Sequence, residues 1–386
     1  PLPPLAGLAV SVKDLFDVAG ERTTGGSRAL EDVAPARADA PVVARLRGAG
    51  AALIGHTQLS EFAFSGVGIN PHHGTPVNPN ALALDGVERI PGGSTSGGAV
   101  SVAAGAAWAA LGSDTGGSLR IPAALQGLVG FKSTQRLVPL EGSIPLSTTL
   151  DTAGAITRTV RDALWLHEIL AARVVVRRGL SARALRLAVP ATLMLEALDD
   201  TVALAFARAL ERLRAAGAQI DDIALPALDE LSTLNAQGGF AAAESWAWHR
   251  ERLAVREERY DPRVAMRIRR GAVMSAADYI ELREARADWI ARVEAVIAPY
   301  DALLSPTVPM VAPPLAPLLA DDEAFFAANA RLLRNPSVVN FLDGCALSMP
   351  CHAPGELPVG LMVWGPALAD DRVLDSALAI ESALER

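Results

Sequence analysis

From Gly92 to Ser118 the chain is built almost entirely of small residues, and this run limits what can pack around it. Two glycine-rich turns bracket it: Gly92-Gly93-Ser94-Thr95-Ser96-Gly97-Gly98 and Asp114-Thr115-Gly116-Gly117-Ser118. The stretch GGAVSVAAGAAWAAL, residues 97–111, reads as a helix buried on every side, where glycine and alanine let backbones approach closely. Gly105 in its middle weakens such a helix by roughly 1 kcal/mol relative to alanine, so surrounding packing must hold it. Ser94 and Ser96 stand at its start, as N-caps would.

A second feature bears on chemistry. The chain has two lysines, Lys13 and Lys132, and its other basic residues are arginines. Arginine keeps its proton at any workable pH, whereas a buried lysine can lose it and act as a base. Bias toward arginine codons accounts for the count, but not for a lysine in Val12-Lys13-Asp14 combined with two glycine-flanked serines. The combination suggests a hydrolase whose serine nucleophile is deprotonated through a second serine by a neutral lysine.

Length and composition narrow the class. A chain of 386 residues, 51% apolar, can bury a large core and is too apolar for disorder. A net charge of −8 argues against a nucleic-acid or anionic-membrane surface. There is no apolar run of membrane-spanning length and no signal-peptide pattern. Cys345 and Cys351 are the only cysteines, which reads as a reducing cytoplasm and two core thiols. The chain opens at Pro1 without a methionine, which leaves open whether it is trimmed or a short variant.

Helical and strand signals alternate. APVVARLRGAG reads as a helix ending at Gly50 and AALIGHT as the strand after it. Later, Val202, Phe206, Leu210 and Leu213 form one helical stripe, with Asp199 or Asp200 as N-cap and Gly217 beyond the end. AQIDDIALP, DALLSPTVP and LPVGLMVWGP read as strands, and an amphipathic helix from Asp371 to about Glu385 closes the chain. Such alternation predicts an α/β body with helices covering a largely buried sheet. We expect one domain over 1–386: a catalytic core over 1–170, a charged helical substrate-access region over 240–300, and a return to the core sheet over 300–386.

Amide hydrolysis needs a nucleophile, a proton acceptor, oxyanion donors and a proton for the leaving amine. Glycines in Gly116-Gly117-Ser118 allow backbone N–H groups to converge, so Ser118 Oγ can sit beside a nest formed by Thr115, Gly116 and Gly117. A serine after a glycine pair is ordinarily only a turn residue. Two such turns flanking a small-residue helix favour the functional reading. No serine is centred in G-x-S-x-G, no phosphate-loop motif occurs, and the six histidines show no metal spacing. Spacing alone leaves a Ser-His-Asp triad open. No cofactor or metal is expected.

The chain resembles the amidase signature family. The resemblance rests on LAGLAVSVKDLFDVAG, LIGHTQLSEFAFSGVGINPHHGTPVNP, PGGSTSGGAVSVAAGAAWAALGSDTGGSLRIPAALQGLVGFKST and SIPLSTTLDTAGAITRTV, and on NPSVVNFLDGCALSMPC and LPVGLMVWGP near the end. It implies a single large α/β domain with a central mixed β-sheet covered by helices on both faces. It also implies Ser118 as nucleophile, Ser94 on a cis peptide after Gly93 as the bridging serine, Lys13 as base, and oxyanion donors at Thr115, Gly116, Gly117 and Ser118. Two features depart from the pattern. Lys13 lies near the start, where the family commonly has a helical leader, so the assembly, a homodimer included, is open. Thr95 stands where many members have serine or glycine.

Other readings are less specific. Arg120 is expected either to hold a substrate carboxylate bidentately or to pin neighbouring loops. Asn70, Gly93 and the His72-His73 loop are candidates for the pocket wall, Asp114 for orienting backbone, and Lys132 for satisfying carbonyls near the sheet. Trp108, Trp165 and Trp289 read as core. The expected activity is C–N cleavage of a small-molecule amide through an acyl-enzyme. The alternatives are a glutaminase subunit of an aminoacyl-tRNA amidotransferase, a urea-type (biuret- or allophanate-like) hydrolase, and an inactive anion binder.

Overall fold

Ten strands pair side by side into one mixed sheet in a computed structural model that describes residues 2–385. In chain order they are β1 (Ala9–Lys13), β2 (Ala52–Thr57), β3 (Ala109–Asp114), β4 (Val129–Lys132), β5 (Thr152–Thr157), β6 (Arg186–Pro190), β7 (Gln219–Ile223), β8 (Ala302–Pro306), β9 (Cys345–Pro350) and β10 (Gly360–Gly365). Their order across the sheet is β2-β1-β3-β5-β4-β9-β10-β8-β6-β7. At one edge β2, β1 and β3 are parallel, at the other β8, β6 and β7 are parallel, and the strands between are antiparallel.

Period-two alternation sends successive side chains to opposite faces, and both faces are covered. On β10, Leu361 and Val363 pack with Val373, Leu374 and Ala377 of the closing helix. Met362 and Trp364 pack instead with Trp289, Val338 and Val339 from two other helices. The central strands therefore read as continuous apolar runs, as a sheet buried on both sides must. Each fully buried Leu, Val or Phe side chain contributes roughly 1.5–3 kcal/mol, enough in sum to carry the few buried charges described below.

The amphipathic stripe of residues 200–217 forms the helix Asp200–Ala215, with Val202, Phe206, Leu210 and Leu213 buried. Asp199 is its N-cap, although its side chain makes no capping bond. The first predicted helix runs Pro41–Gly48 and the closing one Asp370–Leu384.

The 97–111 run departs from expectation. Its helix spans only Ser96–Ala103, with Thr95 rather than a serine at the N-cap and no side-chain capping bond. Gly105 adopts φ +77, a left-handed conformation that glycine takes without penalty, and the chain turns there into β3. A uniformly small, apolar run carries no period, so nothing in it separates helix from strand. The close packing agrees with expectation: Ala99, Val102, Ala110, Leu119 and Ala123 form one buried cluster. Trp289 is fully buried, but Trp165 is 43% exposed and Trp108 only half-buried.

Candidate active site

Three parallel strands end side by side and bring the first candidate residues together. β1 lies between β2 and β3, with Lys13 paired to Thr57 and Val12 to Leu111. Lys13 closes β1 and Ser113-Asp114 closes β3, so they meet at the carboxyl ends of parallel strands, where α/β sheets form their sites. Lys13 has no solvent exposure. Its Nζ donates to Ser94 Oγ at 2.7 Å and to Ser113 Oγ at 2.8 Å. Burial lowers its pKa to about 7, against the opposing pull of the Asp114 and Asp151 carboxylates. Among the described residues neither carboxylate pairs with the lysine directly. Ser113 is a partner that sequence reasoning missed, and only its position beside Asp114 could have signalled it.

Ser94 follows a cis peptide bond after Gly93. Its carbonyl accepts from the N–H groups of Ser60 and Ser96 at 3.2 and 2.9 Å. The two serine turns are joined by backbone: Thr95 N–H donates to the Ser118 carbonyl at 3.3 Å. The Ser94 and Ser118 hydroxyls share no hydrogen bond among the described residues.

Asp114 organises the turn that carries Ser118. Its carboxylate accepts from the N–H groups of Gly117 at 2.8 Å and Leu119 at 3.1 Å. Burial alone would raise its pKa, but the Arg120 guanidinium, with Asn340 and Lys132, holds it well below the usual carboxylate range. The expectation that Asp114 orients backbone matches this geometry. The expectation for Gly117 is corrected: its N–H is engaged by the Asp114 carboxylate. Gly117 has φ +130, and a Cβ there would meet Ile121 and Pro336 at 2.7 Å.

Arg120 does not face a ligand. It has no exposure and forms an ion pair with Asp114, while its guanidinium also donates to the Pro336 carbonyl at 3.1 Å and to Asn340 Oδ1 at 2.6 Å. It pins the serine turn to the helix Asp322–Phe341, so the carboxylate-clamp reading is corrected. Asn70 is also buried, its amide donating to the Gly26 and Leu59 carbonyls at 2.8 Å. His72 turns to the buried Glu61 carboxylate at 2.9 Å. Asn70, Gly93, His72 and His73 are all absent from the cavity wall, and the Asn70 and His72 side chains are engaged by neighbouring groups instead. Lys132 donates to the Ser133 and Gly344 carbonyls, as expected.

A cavity of about 630 Å³ opens beside Ser118. Thr115, Gly116 and Ser118 form one wall. The rest is largely apolar, including Phe64, Leu146, Leu150, Phe240 and Leu333. Two basic side chains, Arg267 and Arg334, also line it. Phe240 and Arg267 come from the charged 240–300 helices. Two acids, the buried Asp151 and the half-buried Glu244, hold the 146–151 segment. Asp151 accepts from Thr115 Oγ1 at 2.6 Å and from the N–H groups of Leu146 and Ser147. Burial raises its pKa to about 6 despite those bonds. Glu244 accepts from Ser147 Oγ, Thr149 N–H and Oγ1, and Tyr279 OH. No motif in the sequence marked Asp151, Glu244, Arg267 or Arg334.

A buried lysine hydrogen-bonded to a serine thus lies next to a glycine-serine turn over a largely apolar cavity. The family model described as Amidase matches residues 1–374, and the chain belongs to that family. It is 38% identical over 391 residues to 2-amino-5-chloromuconic acid deaminase of Comamonas testosteroni, covering 99% of this chain and 83% of that one. It is 33% identical to a glutamyl-tRNA(Gln) amidotransferase subunit of Symbiobacterium thermophilum, covering 98% of this chain and 83% of that one. A crystal structure of an amidase superposes with TM-score 0.86 at 35% identity, over 99% of this chain and 85% of that one. Kluyveromyces lactis allophanate hydrolase gives TM-score 0.88 at 28% identity, over 98% and 62%. The chain is thus an amide C–N hydrolase with the amidase fold.

Proposed function

We propose that Ser118, Ser94 and Lys13 form a proton relay that hydrolyses a small-molecule amide through an acyl-enzyme. The observation that carries this reading is Lys13 itself: fully buried, shifted to about 7 by that burial, and hydrogen-bonded to Ser94 Oγ. A fixed ammonium could not serve as a base, but a lysine with this pKa is substantially neutral near pH 7.

In the acylation step, neutral Lys13 takes the proton of Ser94, and Ser94 takes that of Ser118 as its Oγ bonds to the amide carbon. The carbonyl π pair moves to oxygen, and the oxyanion is held by the free N–H groups of Thr115, Gly116 and Ser118. A well-placed donor of this kind contributes roughly 3–4 kcal/mol. The tetrahedral intermediate collapses with cleavage of C–N. The proton on Lys13 returns through Ser94 to the leaving nitrogen, which departs as ammonia or an amine. Water then attacks the acyl-Ser118 ester through the same relay and regenerates the enzyme. No cofactor or metal takes part.

The apolar cavity supports a small organic amide as the partner, in a cytoplasmic enzyme that binds neither nucleic acid nor membrane and can form a homodimer. No helix among the described residues is long and apolar enough to cross a membrane. The second reading, a glutaminase subunit, is favoured by the identity to the amidotransferase relative and predicts co-purification with partner subunits. A screen of ammonia or amine release from primary amides, anilides and ureas tests the main proposal. Wild-type protein should turn over at least one class and Ser118→Ala none. Near-normal turnover by Ser118→Ala overturns it.

A further inference from the structure

Pairing between β3 and β5 runs to Asp114 opposite Thr152 and stops short of the serine turn. Side chains continue it. Thr152 Oγ1 donates to the Asp114 carbonyl at 2.8 Å, and Thr115 Oγ1 donates to Asp151 Oδ1 at 2.6 Å. The last two residues before the Gly116-Gly117 pair are thus each tied to the residues that open β5, Thr115 by way of a carboxylate.

That carboxylate is also bonded to the cavity wall. The N–H of Leu146 donates to Asp151 Oδ2 at 2.9 Å, and the N–H of Ser147 donates to both oxygens at 3.0 Å. Leu146 and Thr115 line the cavity, whereas Asp151 lies behind them, buried and off the wall. Each of the three groups bonded to Asp151 is a donor, an arrangement that fits an ionised acceptor. Burial works the other way and raises its pKa to about 6, which still leaves it mostly ionised at neutral pH. A buried carboxylate held by neutral donors is a poor stabiliser. What this one holds is the approach to Ser118.

We infer that Asp151 is a positioning residue for the hydrolysis, acting through the Thr115 hydroxyl to fix the backbone that enters the serine turn against the cavity wall. This rests on Ser118 being the amide nucleophile and adds a second support for its turn. Asp114 holds the far side of the turn at the Gly117 N–H, and Asp151 holds the near side at Thr115. Gly116, between them, has no side chain with which to fix its own peptide planes. The direction of the Thr115 and Gly116 N–H groups, the proposed oxyanion donors, therefore depends on both carboxylates.

Three substitutions test this. Thr115→Val removes the hydroxyl at nearly constant shape, Thr115→Ser keeps it, and Asp151→Asn is a neutral isostere whose amide nitrogen cannot accept. Each is assayed for kcat and KM on an amide that the wild type hydrolyses, with Ser118→Ala alongside. In Thr115→Val and in Asp151→Asn kcat should fall by about tenfold or more, the worth of one hydrogen bond to a charged group, while KM changes by less than about twofold. Thr115→Ser should stay within about twofold of the wild-type kcat. The Asp151→Asn/Thr115→Val protein should lose about as much as the worse single variant, since the two residues act as one contact. Unchanged kcat in Thr115→Val, or Thr115→Ser as slow as Thr115→Val, overturns the inference whether or not Asp151→Asn folds. A loss confined to KM, or a double variant whose loss is the product of the single losses, overturns it too. Unaffected Thr115 variants beside an inactive Ser118→Ala sink this inference alone, whereas turnover that persists in Ser118→Ala sinks the nucleophile reading and the inference with it.

Discussion

Asp114 and Arg120 form an ion pair with no solvent exposure, Oδ1 to Nη2 at 2.9 Å, from opposite ends of the turn that carries Ser118. The carboxylate holds the Gly117 N–H and the guanidinium holds the Pro336 carbonyl and Asn340. The serine turn is thereby fixed both to its own strand and to a helix more than two hundred residues later in the chain. Removing one partner leaves a buried charge without its counterion, which typically costs 3–5 kcal/mol. Asp114→Ala should lower the unfolding free energy by about that amount in urea titrations and lose turnover with it. A loss under about 1 kcal/mol would show that the pair is not structurally important.

Gly117→Ala probes the same turn from the backbone. The added methyl meets Ile121 and Pro336 at 2.7 Å, and φ +130 is a conformation that alanine rarely adopts. The turn must shift, so kcat should fall by roughly a hundredfold, the scale of losing one oxyanion donor. Unchanged kcat for any amide that the wild type hydrolyses would mean that this turn does not hold the oxyanion.

The pH dependence follows from Lys13. Its neutral form is the base, and its pKa is lowered to about 7, so kcat/KM should rise with pH through about 7 and level off above it. An ordinary exposed lysine would place the rise about three units higher. The pH–rate profile of any hydrolysed amide decides between them.

Glu244 should act on the pocket rather than on the chemistry. It accepts from Ser147, Thr149 and Tyr279, tying the Gly239–Arg256 helix to the segment that contributes Leu146 and Leu150 to the cavity. Glu244→Ala releases that wall, so KM should rise by roughly tenfold while kcat changes less. A fall in kcat at constant KM would place Glu244 in the chemical step instead.

The parts of the protein legible in its sequence are those with a local signature. The period of Val202, Phe206, Leu210 and Leu213 marks its helix because one face is buried and the other wet. Lys13 and the two glycine-serine turns stand out because their residue types are chemically unusual in this chain. Arg120 is ambiguous in sequence because its partners, Asn340 and Pro336, are some two hundred residues away, and nothing local distinguishes a structural arginine from a ligand-binding one. The boundary at Gly105 is hidden in a run without polar contrast. Arg334 and Glu244 carry no local signal because their positions depend on which helices the fold sets around the cavity.

The most direct test of the relay is the rate at which a fluorophosphonate labels Ser118, followed by intact mass and peptide mapping, in wild type and in Lys13→Met. A single adduct on Ser118 is expected in the wild type, with labelling about a thousandfold slower in the variant, within the range of general-base contributions. An adduct on another residue, or equal labelling rates in the two proteins, would contradict it.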